Sequence, residues 1–261
     1  MANESQVIVS SKDGIATITL NKPEKRNAMD GSLVIDLMSA LIAIAEDKNI
    51  GVLIVRANGE HFCAGADIGW MQKIASAPDC DNENDALQLA NLMNAIYRFP
   101  KPVIALAHGA TLGGGLGLVA ACDIAIAANN ASFTFSEVKM GIVPSVVSPY
   151  VIRAIGERAA RYYFMTAARF DANEAHRIGF VHQVVDLAAL DSAGVAMAND
   201  ILKHSRTAVS EAKHLIQQVS GEIISEEVIH FTAGHLAAMR TTDDAREGLQ
   251  AFLEKRAPIW S

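Results

Sequence analysis

Two short glycine-bearing stretches are placed to do chemistry: His61-Phe62-Cys63-Ala64-Gly65-Ala66-Asp67 and Gly109-Ala110-Thr111-Leu112-Gly113-Gly114-Gly115-Leu116-Gly117. Each follows an apolar, strand-like run and precedes a helix-like one. Where large side chains are missing, backbone N–H groups stay bare and a ligand approaches the main chain closely. A helix start adds a dipole that favours negative charge. Two such amides converging on one point form a hole for an anionic oxygen, the feature that acyl chemistry needs most.

The elements around these stretches read as alternating strands and helices. Ile15–Leu20 alternates threonine with apolar residues, and the run before it, Gln6–Ser10, can pair back across Asp13-Gly14, a hairpin turn signal. Leu33, Leu37, Leu41 and Ile44 share one helical face. Val52–Val55 is continuously apolar, as a strand covered on both faces is. A helical run from Ile68, a polar loop over Ser76–Asp85 and a helix over Ala86–Tyr97 follow. Then come strand Val103–Ala107, a short helix Leu116–Ala121, strand Ile124–Ala128 and a short strand at Phe133–Phe135. Such alternation predicts an α/β protein with largely parallel pairing. Past Pro149 the chain reads as helices: Val151–Met165, Ala172–Ile178, Leu190–Lys203, Ala208–Val219 and Glu226–Met239. The expected organisation is a core over 1–189 and a C-terminal helical region over 190–261.

Bulk properties narrow the function. The chain has 261 residues, half of them apolar, and a net charge of -7 with no basic run that could neutralise phosphates, so no nucleic-acid partner is expected. Three cysteines, Cys63, Cys80 and Cys122, are too few and too irregular for a disulfide framework or a CxxC metal site. Reduced thiols and the lack of a signal-like start at Met1–Gln6 point to a cytoplasmic or matrix-like compartment. The apolar run Val103–Ala128 is long enough for a bilayer, but Gly109 and Gly113–Gly115 break it, so no membrane span is expected.

Competing motifs fall short. Gly115-Leu116-Gly117-Leu118-Val119-Ala120 fits a degenerate dinucleotide pattern, yet lies mid-chain without the tight strand-to-helix turn that pattern needs. No Lys-Ser or Lys-Thr follows the glycines, and there is no G-x-S-x-G elbow. No histidine–carboxylate cluster has metal-ligand spacing, so no metal is expected.

Several stretches together resemble the crotonase superfamily of enoyl-CoA hydratases and isomerases. They are Leu20-Asn21-Lys22-Pro23 with Asn27-Ala28, His61–Asp67 with Trp70-Met71, Gly113–Asp123, Ser136–Pro144 and Phe252–Arg256. The stretch Ser136–Asp171 is similar to bacterial methylglutaconyl-CoA hydratases in particular. The resemblance implies an α/β fold, a crotonase-type spiral of ββα units with a C-terminal helical trimerisation region. It also implies a homotrimer or homohexamer, and no cofactor beyond the coenzyme A of an acyl-CoA thioester substrate.

Site residues follow from the same resemblance. The amides of Ala66 and Gly114 would form the oxyanion hole. Lys25, Arg26, Ala28, Ala64, Asp67, Ile68, Gly113 and Gly117 would line the substrate, with a basic residue near the C-terminus, Lys255 the candidate, reaching the coenzyme A phosphates from the same or a neighbouring subunit. Glu137 would be the catalytic carboxylate. It stands between Phe133/Phe135 and the apolar run from Met140, where desolvation raises a carboxyl pKa. Asp67 reads most simply as an N-cap for the helix from Ile68. His61, Cys63 and His108 read as structural, while Lys139 and Tyr150 are weaker candidates for meeting a substrate carboxylate.

One position departs from the family pattern. Hydratases carry a second glutamate where this chain has Gly117, leaving Glu137 alone and the vacated space open to water or substrate. The expected activity is hydration of a short or branched enoyl-CoA, one bearing a second carboxylate included. The alternatives are a double-bond isomerase, a non-catalytic acyl-CoA binder and, more remotely, a dinucleotide-dependent oxidoreductase.

Overall fold

In the computed structural model, which describes residues 5–260, strands β1 (Val7–Lys12) and β2 (Ile15–Leu20) form an antiparallel hairpin. Asp13 and Gly14 make its turn with φ of 50° and 82°, the left-handed pair that a tight hairpin demands. The part of the N-terminal reading that concerns residues 1–4 lies outside the described residues.

Helix α1 (Gly31–Glu46) buries Leu33, Leu37, Leu41 and Ile44, as their spacing predicts. Strand β3 (Val52–Ala57), helix α2 (Ile68–Ala75) and helix α3 (Asp79–Tyr97) follow. The expected polar loop over Ser76–Asp85 is thus largely helix. Its first turns are exposed and carry no apolar stripe, so periodicity is silent there; Asp79 and Asp81 suit the positive end of the helix dipole. Next come β4 (Val103–Ala107), β5 (Ala110–Leu112), α4 (Gly114–Ala121), β6 (Ile124–Ala128) and β7 (Ser132–Thr134).

Helix α5 (Ser148–Thr166) breaks internally at Gly156, whose φ of 75° no ordinary helix residue adopts. Strands β8 (Phe170–Asp171) and β9 (Gln183–Val185), like β5, are two or three residues long, too short for a pattern to show, and were not expected; helices α6 (Ala172–Arg177), α7 (Leu190–Leu202), α8 (Arg206–Val219) and α9 (Glu226–Met239) complete the expected helical set. Helix α10 (Asp243–Glu254), capped by the Thr242 hydroxyl, is an addition to it.

The large sheet has strand order β1-β2-β3-β4-β6-β9, parallel after the first hairpin, and a small sheet has order β5-β7-β8. The chain climbs as a spiral. A large-sheet strand (β4, then β6) leads to a small-sheet strand (β5, then β7), with a helix following. The earlier turns replace the small strand with single bridges, Met29 to Ala66 and Cys63 to Thr111.

Alternate residues of each strand enter different cores, because strand side chains point to opposite faces. Leu53, Val55 and Ala105 join the cluster containing α1 and α4, whereas Val52, Ile54, Ile104 and Leu106 meet Leu190 and Ala198 of α7. Behind the small sheet, Phe133 packs on Phe170 and Phe180 with ring centres 5.4 and 5.3 Å away. Among the described residues no helix is long and apolar enough to cross a membrane.

Candidate active site

The loop after β2 makes one tight turn at Pro23–Lys25, then places Arg26 and Asn27 in the left-handed region at φ 53° and 54°. Asn27 is fully buried. Its Oδ1 accepts the Lys22 N–H at 2.8 Å, and its Nδ2 donates to the Asn58 and His61 carbonyls at 2.9 Å each. Its own carbonyl accepts from the Cys63 thiol at 3.1 Å. One side chain thereby ties the loop to both ends of the segment that leads into the first glycine stretch.

That stretch then lies between two neighbours. On one side the Arg26 carbonyl accepts from Ala64 N–H (2.9 Å), the Gly65 carbonyl from Met29 N–H (2.7 Å) and the Met29 carbonyl from Asp67 N–H (2.7 Å). On the other side the Cys63 carbonyl accepts from Leu112 N–H at 2.9 Å. These pairings engage the N–H groups of Ala64 and Asp67. The Ala66 N–H has no hydrogen-bond partner among the described residues.

The second stretch ends in the same way. Gly113, at φ 46°, donates to the Thr134 carbonyl at 3.0 Å, and Gly114 opens helix α4 with its N–H likewise unpartnered among the described residues. The strands approach so closely that a Cβ on Gly65 would lie 2.8 Å from the Leu112 carbonyl oxygen and 3.5 Å from the Gly114 nitrogen. Only glycine fits there, and the fit brings the two free amides to one place.

Glu137 begins a short helical turn (Glu137–Met140) just past β7. It is 8% exposed, and its Oε1 would lie 3.1 Å from a Cβ built on Gly113. Burial raises its carboxyl above the usual range, and buried Oε2 has no partner among the described residues. A buried carboxylate oxygen left without a partner costs free energy and calls for an explanation. Such groups concentrate where a proton has to move.

Two cavities meet at this carboxylate. One, of about 360 Å3, is walled mainly by apolar residues such as Val34, Trp70, Ile74, Leu89 and Val147. The other, of about 540 Å3, is lined by Lys25, Arg26, Ala28, Ala64, Asp67, Ile68 and Gly113. Ala66, Gly114 and Glu137 line both, so they stand at the junction. An apolar pocket and a groove with exposed cations, joined at two free amides and a carboxylate, can take a long amphipathic ligand through that point.

Gly117 is the exception among the expected lining residues, since it touches neither cavity. A Cβ there would lie 2.3 Å from the Val147 Cγ1 and 3.2 Å from the Met93 Cε. The space beside Gly117 is therefore packed by Val147 rather than open to water or substrate.

The remaining candidates fall outside the junction. Asp67 caps α2 by accepting the Trp70 N–H at 2.9 Å, and that bond, with Lys25 3.5 Å away, holds its carboxyl below the usual range. His61 accepts from the Ala110 N–H at 3.2 Å, and His108 bonds the Gly59 carbonyl at 3.0 Å. Burial pushes the Cys63 thiol up to about 12, so it stays protonated. Lys139, Tyr150 and Lys255 line neither cavity.

Sequence reasoning passed over the clamp at Asn27 and the pair Trp70–Asp85, in which the indole Nε1 donates to Asp85 Oδ1 at 2.8 Å beside the apolar cavity. No local spacing signals either, because each joins segments that meet only after folding.

Comparison with known proteins agrees with this architecture. The family model for enoyl-CoA hydratase/isomerase matches residues 10–261. The chain is 38% identical to a Shewanella pealeana enoyl-CoA hydratase of known structure, covering 98% of this chain and 96% of that one at a TM-score of 0.95. It is 32% identical to a hydroxycinnamoyl-CoA hydratase-lyase of Pseudomonas fluorescens over 96% of this chain and 93% of that protein. It is 30% identical to the 2,3-dehydroadipyl-CoA hydratase of Escherichia coli K12, with 97% and 98% covered. With the family model spanning nearly the whole chain and the fold superposing at that level, this chain belongs to the enoyl-CoA hydratase/isomerase family of the crotonase superfamily.

Proposed function

We propose that this protein hydrates α,β-unsaturated acyl-CoA thioesters, with Glu137 as the single proton-transfer group. The observation that carries this reading is the junction itself: a buried carboxylate with one unpartnered oxygen beside two unpartnered amides, where an apolar cavity meets a groove bearing Lys25 and Arg26. The thioester carbonyl oxygen sits between the Ala66 and Gly114 N–H groups. The acyl chain enters the apolar cavity, and the coenzyme A portion lies along the second.

The chemistry then follows. Glu137 takes a proton from water as the water oxygen bonds to the β-carbon. The π electrons shift through the α-carbon onto the carbonyl oxygen, where fixed amides stabilise the charge without reorganising. The enolate collapses, and the Glu137 acid returns its proton to the α-carbon. A raised carboxyl pKa suits both halves of this cycle, since one group must accept and then donate near neutral pH.

A second reading has its own support. Val147 fills the space beside Gly117, and among the described residues Glu137 is the one carboxylate lining both cavities. A lone glutamate is what a shuttle between α- and γ-carbons needs, as in a double-bond isomerase. The two are separated by one spectrophotometric assay. Hydration of a conjugated enoyl-CoA removes its near-ultraviolet absorbance, whereas isomerisation of a β,γ-enoyl-CoA creates it. A non-catalytic binder would hold coenzyme A thioesters and change neither.

Assembly into a trimer or hexamer belongs to the same proposal. Ile223, Ile224, Phe252 and Leu253 in the C-terminal region are each at least 76% exposed, a cost in water that a subunit contact removes. Light scattering on the purified chain tests it; a monomer at micromolar concentration would contradict it.

A further inference from the structure

The apolar cavity says what kind of acyl group it accepts, on the hydratase reading above. Its volume of about 360 Å3 compares with the roughly 150 Å3 that suffices for a benzene ring in an apolar protein interior. It is therefore wide enough for a branched chain or an aryl ring. Among the described residues the ionisable ones in its walls are Asp30, Asp85 and Glu137, with no Lys, Arg or His.

Each acid is accounted for. Asp30 is paired with Lys22 at 2.5 Å and also accepts from Ser32 Oγ and the Leu33 N–H, so the Lys22 charge is already engaged. Asp85 accepts from the Trp70 indole and forms no ion pair among the described residues. Glu137 must be ionised to accept a proton from water. The nearby Lys73 lies over the Trp70 ring, Nζ 4.7 Å from its centre, without lining the cavity.

We infer that this cavity selects uncharged acyl groups, bulky ones included, and rejects acyl chains that end in a carboxylate. A terminal carboxylate there would meet no cation among the described residues and would face Asp85 and Glu137. Burying a charge without a partner is among the costliest events in a protein interior, and like charges add to it. This reverses the substrate carboxylate suggested by the likeness of Ser136–Asp171 to methylglutaconyl-CoA hydratases.

The test compares two six-carbon thioesters that differ at the chain end, 2-hexenoyl-CoA and 2,3-dehydroadipyl-CoA, by kcat/KM on the purified protein. The expected preference for 2-hexenoyl-CoA is at least ~30-fold, carried mainly by KM. Asp85→Asn keeps an acceptor for the Trp70 indole and should narrow that ratio by about tenfold. Comparable kcat/KM values, or a preference for the dicarboxylic thioester, would overturn the inference while leaving the hydratase reading standing. An unchanged ratio in Asp85→Asn would remove Asp85 from it. If neither thioester is hydrated, the hydratase reading fails. Calorimetric binding of hexanoyl-CoA against adipyl-CoA then decides the selectivity alone, and equal affinities overturn it.

Discussion

Cys63 and Thr111 face each other in a parallel bridge, and the amides of Ala66 and Gly114 each lie three residues beyond it. The register of one bridge thus decides that the two free N–H groups arrive together. Asn27 pins the first strand of that pair from behind, and the close approach at Gly65 sets the spacing.

Glu137→Gln preserves shape but cannot accept a proton. Turnover should fall by about 10³-fold or more, with thioester affinity nearly kept. Wild-type turnover in that variant would eliminate Glu137 as the proton carrier.

The same substitution should stabilise the fold. Burial raises the Glu137 carboxyl, so in the window above the ordinary carboxylate pKa the folded chain binds more protons than the unfolded one. Stability from this group is complete below the unfolded pKa and is lost as pH rises through the folded one. Glu137→Gln should therefore melt higher than the parent at pH 7–8, on the order of 2–4 °C, with the gap closing towards pH 4. Calorimetric melting across that range checks the sign.

Gly114→Pro deletes the N–H at the first position of α4, where proline suits the helix. A Cβ there would lie 2.5 Å from the Met29 Cε, the movable end of a flexible side chain. Gly114→Ala carries the same crowding and keeps the N–H. The proline variant should lose about 10²–10³ in kcat relative to the alanine variant. Equal kcat values for the two would count against an amide at 114 acting on the thioester oxygen.

Asn27→Gly keeps the left-handed backbone while removing the side chain. The Lys22 N–H and the Asn58 and His61 carbonyls lose their partners, which should cost about 2–4 kcal/mol of stability by urea unfolding. Loosening of the Ala66 strand should also lower kcat more than it raises KM. A stability loss with full kcat would show that the clamp supports the fold without positioning the amide.

Gly117→Ala presses a methyl onto Val147 and should cost about 1–3 kcal/mol. Val147→Ala made alongside it should recover part of that loss, giving a favourable coupling in a double-mutant cycle. Additive losses would mean that the two positions do not touch.

Much of this was legible in the residues. A period-2 pattern placed β2 and a period-3.6 pattern α1, while continuous apolar runs placed β3, β4 and β6, because burial on one face repeats with the element and burial on both faces leaves no polar position. The early turns of α3 were missed because an exposed helix has no stripe to read. The glycine stretches were recognisable since only glycine tolerates the approach they make, and the setting of Glu137 between aromatic and apolar neighbours foretold its raised pKa. What the free amides share with one carboxylate was not readable, nor was the packing of Val147 against Gly117 or the acid-lined cavity without a cation. Those facts join residues tens of positions apart in the chain, and only the closing of the spiral brings them within reach of one another.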